Sequence, residues 1–568
     1  MLKKWVVKKQ NKEQQEALAK ALAISEITAG ILISRGIDTQ EAVHEFLKPS
    51  LLNLKDPFLM KGMHKAVTRI KEAIQNEELI MVHGDYDVDG ICATALIEII
   101  LKKMGAKIIH YIPNRIEDGY GVGEKAITIA KQKKVNLLIT VDCGITARDE
   151  IDALNSLGID VIITDHHQPS GNLPNAYCIL NPLQKNCDYP DKDLAGVGVA
   201  FKLVSALYGT DSDYIYGHLD LVCLGTISDV APLIGENRIL VKNGLSQLKD
   251  SKKIGLQSLL TVVKLNNKDI TSQNVGYILG PRINAAGRVG SAELALTLFL
   301  TTDEKEAQIL AETLDTENKN RQKLERKTLT QALSKIEKYF DFQKNTVVVL
   351  QDETWHSGVI GIVASRIVDK FYRPALIMTK KGSLLKGSGR SIKNFHLVNV
   401  LEKCSHLLEN YGGHRYAAGL SLQEKNMDDF KKLINKIASD SLKPEDLMPS
   451  ISIDMEIELG LLTDKFFAEM DMLAPFGMGN PRPTFATKNL KIKTEPQILG
   501  SGTIKTWVTD NKMVCEAIGF GMAETIPSNI SESDLELAYS CQLKTYKGVE
   551  SIQLQLKDLK VKQPVLVA

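Results

Sequence analysis

From Glu78 onward short apolar runs alternate with amphipathic stretches of helical period. Runs at 79–83, 107–112, 137–142 and 160–165 are separated by helical patterns at 91–104, 123–133 and 147–157. Such alternation predicts a parallel sheet covered by helices. In open sheets of this kind ligands bind beyond the carboxyl ends of the strands, and the apolar runs end in acids and histidines. Leu79-Ile80-Met81-Val82 delivers His83-Gly84-Asp85-Tyr86-Asp87-Val88-Asp89-Gly90, Leu137-Leu138-Ile139-Thr140-Val141 delivers Asp142-Cys143-Gly144, and Asp160-Val161-Ile162-Ile163-Thr164 delivers Asp165-His166-His167.

The pattern changes on either side of this block. Residues 1–75 mix short helical patterns with turns and are expected to form an N-terminal cap region ahead of an α/β domain at 76–302. Within that domain Leu194-Ala195-Gly196-Val197-Gly198 opens a helix, and its glycines read as packing positions because no lysine-bearing phosphate loop accompanies them. From 303 to 340 good helix formers run without proline or glycine, which predicts one connector helix. A second α/β domain is expected at 341–445. Period-two alternation such as Ile552-Gln553-Leu554-Gln555-Leu556, with turns such as Leu499-Gly500-Ser501-Gly502, predicts a small β-barrel at 446–568.

The length of 568 residues exceeds what one core usually supports, which agrees with a multidomain α/β chain. No apolar stretch approaches the roughly 20 residues of a membrane span, and the start lacks a signal-peptide core, so a cytoplasmic protein without membrane contact is expected. The eight cysteines show no Cys-x-x-Cys pair or zinc spacing. Cys143 reads as a small filler. Seventy basic against sixty-nine acidic residues neither support nor exclude a polyanionic substrate, so any nucleic-acid path must be local.

His83, Asp85, Asp87, Asp89, Asp142, Asp165, His166 and, further on, Asp229 therefore gather at one sheet edge. Left bare, two carboxylates about 4 Å apart repel by roughly 4 kcal/mol at an effective dielectric near 20, and no lysine or arginine occurs in the three motifs. Cations resolve this most simply. Oxygen-rich ligation with one or two imidazoles suits manganese or magnesium, and two ions about 3.5–4 Å apart serve in-line displacement at phosphorus. Asp142, alone on the middle strand end, is the candidate bridge. A calcium loop is the rival for Asp85-x-Asp87-x-Asp89-Gly90, but Leu96 stands where its twelfth-position glutamate belongs. Strand alternation would turn Asp165 away from His166 and point His167 opposite to His166.

With these motifs and Ser228-Asp229 in place, the chain resembles the DHH phosphoesterase superfamily and, within it, the RecJ-type single-strand-specific exonucleases. The likeness begins at Ser34-Arg35-Gly36-Ile37 and runs almost to the end. It implies a parallel-sheet DHH catalytic domain, a connector helix, a DHHA1 substrate-binding domain and a C-terminal OB-fold. It also implies two ions, Mn2+ or Mg2+, one held by His83, Asp87 and Asp142 and the other by Asp89, Asp142, His166 and Asp229. Asp85 and Asp165 then support the ligands, and His167 faces the scissile phosphate.

Gly280-Pro281-Arg282-Ile283-Asn284-Ala285-Ala286-Gly287-Arg288 resembles the family's phosphate-handling loop, in which Arg282, Asn284 and Arg288 handle the phosphate. The substrate residues implied in DHHA1 are Trp355, His356, Ser388, Arg390, Gly413 and His414. In the barrel, Trp507, Tyr539 and Tyr546 are the available base-stacking residues.

The resemblance implies a metal-dependent exonuclease that hydrolyses single-stranded DNA 5′ to 3′ into mononucleotides, in DNA repair and recombination. His167, Asp142 and Arg288 are its catalytic candidates. A monomer is expected, with single-stranded DNA as substrate and a single-strand-binding protein and a helicase as partners. Two rivals stand beside it: a phosphodiesterase of short oligonucleotides or cyclic dinucleotides, which would not need the barrel, and a non-catalytic single-strand-binding replication scaffold, which would not need the metal cluster.

Overall fold

The computed structural model describes residues 3–115, 117–169, 171–210, 212–500, 502–525, 530, 534–546 and 549–561. The chain divides into two compact units. One holds residues 49–441 and 475–480, the other 1–48, 442–474 and 481–568.

The first strand, β1 (Lys4–Val7), belongs to the second unit, where it pairs in parallel with a strand at Ser450–Ile453. The expected cap at 1–75 is therefore split. Its first 48 residues are built into the C-terminal unit, whereas the helix Met63–Gln75 buries Met63, Ala66 and Ile70 in the core of the first unit. Sequence pattern fails here because pairing over some 450 residues leaves no local signal.

The first unit opens with β2 (Leu79–Gly84), β3 (Lys107–Tyr111), β4 (Leu137–Val141), β5 (Asp160–Thr164) and β6 (Cys178–Leu180), in the spatial order β3-β2-β4-β5-β6 and wholly parallel. Both faces are covered, which is why these strands read as unbroken apolar runs. Ile80, Val82, Ile139 and Ile162 face one core, together with the helix Val88–Lys103. Met81, Leu138, Val161 and Ile163 face the other, with Ala126, Ala130, Ile151 and Leu154. The edge strand β6 is too short for its pattern to stand out in the sequence.

The helix Glu304–Tyr339 is the expected connector, capped by Asp303, whose carboxylate accepts from the Glu306 amide. Ala307, Ala311 and Leu314 lie in the core of the parallel-sheet domain, and Ala332 and Ile336 in that of the next domain. A single helix thus belongs to two cores. That next domain has strands β7 (Val348–Gln351), β8 (Ala375–Lys381), β9 (Leu384–Arg390), β10 (Asn410–Gly413) and β11 (Ala417–Gln423), in the order β10-β11-β9-β8-β7.

In the second unit, β12 (Ser450–Ile453) and β13 (Met455–Glu456) lead into β14 (Phe485–Leu499), β15 (Thr503–Thr509), β16 (Val514–Gly519), β17 (Leu535–Tyr546) and β18 (Val549–Val561). The order β14-β15-β16-β18-β17 closes through β17 against β14, with β16 and β18 parallel. This is a five-stranded OB-type barrel. Tyr539 is not a stacking residue: it is fully buried, and its hydroxyl lies 2.8 Å from Thr487 Oγ1. Trp507 is half-buried on β15, and the side chain of Tyr546 lies outside the described residues.

Candidate metal centre

The sheet order places the carboxyl ends of β2, β4 and β5 side by side, so their motifs converge. After β2 the chain turns at once into the helix Val88–Lys103, whose N-cap is Asp87; one carboxylate oxygen accepts from the amides of Asp89 and Gly90 at 2.9 and 3.1 Å. Asp89 reaches the start of the helix Gly196–Tyr208, and its two oxygens accept from the Gly196 and Val197 amides at 2.7 and 2.9 Å. A Cβ on Gly196 would lie 2.5 Å from Asp142 Oδ1. Gly196 is thus more than a packing glycine, since it admits Asp142 and exposes the amide that holds Asp89.

Asp142 has a left-handed backbone, φ 61°, one of the few residue types to tolerate it. Its Oδ1 lies 3.1 Å from His166 Nε2, which in turn stands 4.0 Å from Asp89 Oδ2 and 3.8 Å from Asp229 Oδ2. Potential ligand atoms lie within 4.8 Å of one another in the groups Asp89, His166, Asp229, then Asp85, Asp87, Asp142, and then Asp142, His166, His167. Asp142 joins two of the groups. Asp85, expected only in support, is brought in with Asp87 and Asp142, whereas His83, expected as a ligand beside them, is not in that group.

The parity argument for the two histidines does not hold. The strand β5 ends at Thr164, so alternation does not extend to 165–167, and both imidazoles turn toward Asp142, with ring centroids 4.5 Å apart. Asp165 is fully buried with both oxygens engaged. Oδ1 accepts from the His166 and His167 amides and lies 2.7 Å from His167 Nδ1, while Oδ2 accepts from the Ile145 amide.

The electrostatics follow from burial. Desolvation and the neighbouring carboxylates push Asp89 up to about 7 and Asp229 to about 8, and Asp85 and Asp142 well above the usual carboxylate range. Among the described residues no lysine or arginine forms an ion pair with any of them. His83 and His166 are pushed down to about 4, chiefly by burial, which keeps both imidazoles neutral. For His167 burial works downward, but the Asp165 hydrogen bond and charge outweigh it and raise the imidazole to about 9.

These residues fit divalent ions on their own chemistry. His83 Nδ1, Asp85 Oδ1, Asp142 Oδ1 and His166 Nε2 are buried with no hydrogen-bond partner, and such orphans are costly unless something else satisfies them. His83 also lies 3.2 Å from the Gly121 carbonyl through Nε2. Donation there leaves Nδ1 with its lone pair, as in a metal-binding histidine anchored through its second nitrogen. Cys143 is buried with its thiol pushed well up, and acts as filler.

The expected phosphate loop is instead a helix, Gly280–Val289, which presents its arginines at fixed positions. Arg282 is paired with Asp315 of the long helix at 2.9 Å, and Asn284 is half-buried. Arg288 donates to the Gly358 carbonyl at 3.4 Å; burial first, then Arg115, Arg321 and Arg390, hold its guanidinium down to about 10. Arg390 donates to Ser388 Oγ, and the His414 ring stacks 6.4 Å from that of His167. Gly413, at φ 135°, lies so near Ala417 that a Cβ would come within 2.4 Å of its carbonyl oxygen. His356 caps the helix Ser357–Phe371 by accepting from the Gly358 amide.

Trp355 lines one cavity with Arg115 and His356 but is otherwise packed inward. It is a core residue, 2% exposed, whose indole donates to Gln331. The sequence reading also missed Arg115, which lies over the Tyr86 ring at 5.0 Å, and Tyr120, whose hydroxyl stands 3.3 Å from His167 Nδ1 and donates to the Asp142 carbonyl at 3.4 Å. Both lie in the glycine-rich loop after β3, at the same sheet edge as the metal motifs, and that placement was the available signal.

Comparison with known proteins agrees with this arrangement. Residues 79–226 match the DHH family, N-terminal domain, 344–440 the DHHA1 domain and 453–558 the RecJ OB domain. The single-stranded-DNA-specific exonuclease RecJ of Bacillus subtilis is 38% identical over 99% of this chain and 71% of that protein. The chain belongs to the RecJ family. Among solved RecJ structures, that from Thermus thermophilus in complex with Mn2+ superposes with a TM-score of 0.84 at 30% identity, covering 99% of this chain and 80% of that one. The Thermus thermophilus RecJ complex with Mg2+ gives 0.78 at 29% identity, covering 99% and 79%. Membership in the RecJ family accounts for a DHH sheet, a DHHA1 domain and an OB barrel in one chain. Among the described residues no helix is long and apolar enough to cross a membrane.

Proposed function

We propose that this protein is a metal-dependent exonuclease that degrades single-stranded DNA from the 5′ end to mononucleotides, in DNA repair and recombination. The observation that carries this reading is the juxtaposition of a buried, unneutralised carboxylate and imidazole cluster with the half-buried arginines Arg288 and Arg390 from two domains. The first suits divalent cations and the second suits phosphate. In this reading Asp89, His166 and Asp229 hold one ion, Asp85, Asp87 and His83 serve the other, and Asp142 serves both. Bound divalent ions supply Lewis acidity: they neutralise developing charge on phosphoryl oxygen and lower the pKa of an attacking water.

The chain's own residues do the rest. Asp165 anchors His167 in the protonated form and leaves its Nε2–H to donate to a phosphoryl oxygen. Arg288 and Arg390, held rigid by the Gly358 carbonyl and by Ser388 and Gly389, grip the phosphate in fixed directions. A cavity of about 320 Å³ lined by Arg115, His356, Lys380, Lys381 and Lys386 continues this basic surface. One strand passes between the two α/β domains, which excludes duplex, and the barrel supplies a single-strand-binding fold. A monomeric enzyme recruited by a single-strand-binding protein and a helicase completes the proposal.

Polarity is tested with two linear single strands, one blocked at the 5′ end and one at the 3′ end. Protection by the 5′ block alone supports the reading. Protection by the 3′ block alone overturns its direction, and activity confined to oligomers of a few nucleotides favours the small-substrate phosphodiesterase.

A further inference from the structure

Pro475–Asn480 is the only part of the chain beyond residue 441 that belongs to the first compact unit; its flanks, 442–474 and 481–568, belong to the other. The hexapeptide is a closed turn. The Gly477 amide donates to the Asn480 carbonyl at 2.9 Å, and the fully buried Asn480 side chain donates back to the Pro475 carbonyl at 2.8 Å. It is fastened to the helical part of the unit by Ser272 Oγ donating to the Phe476 carbonyl and by Arg238 donating to the Pro475 carbonyl.

The turn closes on the segment that follows Asp229. Asp229 is the C-cap of the helix Leu219–Ser228, and the next residue, Val230, has φ 62°. The Val230 amide donates to Ile227 and the Ala231 amide to Thr226, a helix end whose left-handed position is normally glycine. A β-branched residue there is a true outlier and persists only when its surroundings over-determine it. Val230 itself is 58% exposed, so the restraint acts on the residues just beyond it, where Asn237 donates to the Pro232 carbonyl and Pro475–Asn480 holds 232–234. The Leu233 amide donates to the Met478 carbonyl at 2.8 Å, Gly477 lies where a Cβ would meet Leu233 Cδ1 at 2.7 Å, and Gly479, at φ 72°, lies where one would meet Pro232 and Ile234 at 3.3 Å.

We infer that the turn Pro475–Asn480 is a positioning element for Asp229: by clamping Pro232 and Leu233 it holds the left-handed Val230 and so fixes the Asp229 carboxylate among the metal-binding groups. The inference rests on the reading of Asp229 as a ligand. Val230 is the strained link through which the clamp acts, so removing the strain should remove the need for the clamp.

The test is Mn2+ binding by the full chain, followed by electron paramagnetic resonance of free Mn2+ and, separately, by the Mn2+ concentration for half-maximal activity. Asp229→Ala must weaken binding; if it does not, the ligand reading fails, whatever the turn does. Given that, Asn480→Ala and Gly479→Ala should each raise the dissociation constant of an ion about tenfold, the usual loss when a group supporting a ligand is removed. Activity should return at saturating Mn2+. Met478→Ala, which keeps the accepting carbonyl and alters a mostly exposed side chain, should bind as the wild type. The decisive variant is Val230→Gly combined with Gly479→Ala, in which affinity should recover most of the way, because glycine needs no clamp. The inference is overturned if either turn variant binds Mn2+ as the wild type does, or if both weaken binding and Val230→Gly restores nothing. The double variant also answers poor folding of Asn480→Ala, since recovery is read on Gly479→Ala.

Discussion

Asp165 Oδ1 lies 2.7 Å from His167 Nδ1, and the same oxygen accepts from the His167 amide at 3.0 Å, so one buried carboxylate sets both the backbone and the ring of the second histidine. Asp165→Asn should keep the fold's volume but let the amide face Nδ1 with the wrong partner, disfavouring the protonated imidazole. The comparable change in a Ser-His-Asp triad lowers kcat by about 10⁴. A loss in kcat of about 10²–10⁴ with KM little changed is expected, and a rise in KM with kcat unchanged would show that His167 serves only to bind.

Asp142 stands at the junction of the ligand groups. Asp142→Ala should abolish cleavage while retention of single-stranded DNA, measured by filter binding, stays within a few-fold of the wild type. Cleavage surviving in this variant would remove Asp142 from the chemistry.

Metal binding should be visible as stability. A ligand at one hundred times its dissociation constant stabilises the protein that binds it by about 2.7 kcal/mol. Thermal unfolding after chelation should therefore shift upward when Mn2+ is restored, and Asp142→Ala should lose most of that shift. An equal shift in both proteins would place the ions elsewhere.

His110 carries a pH dependence away from the metal centre. Its ring nitrogens meet Glu293 and Glu98 at 2.6 and 2.7 Å, and these contacts raise it to about 9. Because the folded value lies above the unfolded one near 6.5, the stabilisation is complete below that pH and is lost as pH rises through 9. Between pH 6.5 and 9 the unfolding midpoint in denaturant should fall for the wild type, and His110→Ala should flatten that slope.

Much of this was legible in the sequence because the catalytic sheet is local in its connections: β2, β3 and β4 are each followed by a helix, and the motifs at 83–90, 142–144 and 165–167 sit at the ends of β2, β4 and β5. What escaped depended on distant partners. The partnership of residues 1–48 with the barrel, the burial of Trp355 and Tyr539, and the turn at 475–480 are set by tertiary contacts that leave no period in the chain. The relative direction of the His166 and His167 rings was misread for another reason, since alternation was carried past the end of β5. Asp85 comes close to Asp87 and Asp142 because a helix N-cap at Asp87, not strand geometry, governs how that motif bends.

The turn at 475–480 also changes what a truncation can mean. Removing everything beyond Pro449 would delete the barrel and this turn together, so weakened hydrolysis of a dinucleotide could not separate DNA guidance from metal binding. A deletion of 484–568 that retains the turn should weaken binding to long strands far more than dinucleotide hydrolysis. Equal losses would count against the barrel as a guide.

The most direct measurement is release of label from a long single strand marked at its 5′ end, with Mn2+, with Mg2+ and with chelator. Labelled mononucleotide should appear from the first time points with either metal, none should appear with chelator, and a blunt duplex of the same sequence should stay intact. Release that persists in chelator, or label that appears first in longer fragments, would contradict a metal-dependent exonuclease working from the 5′ end.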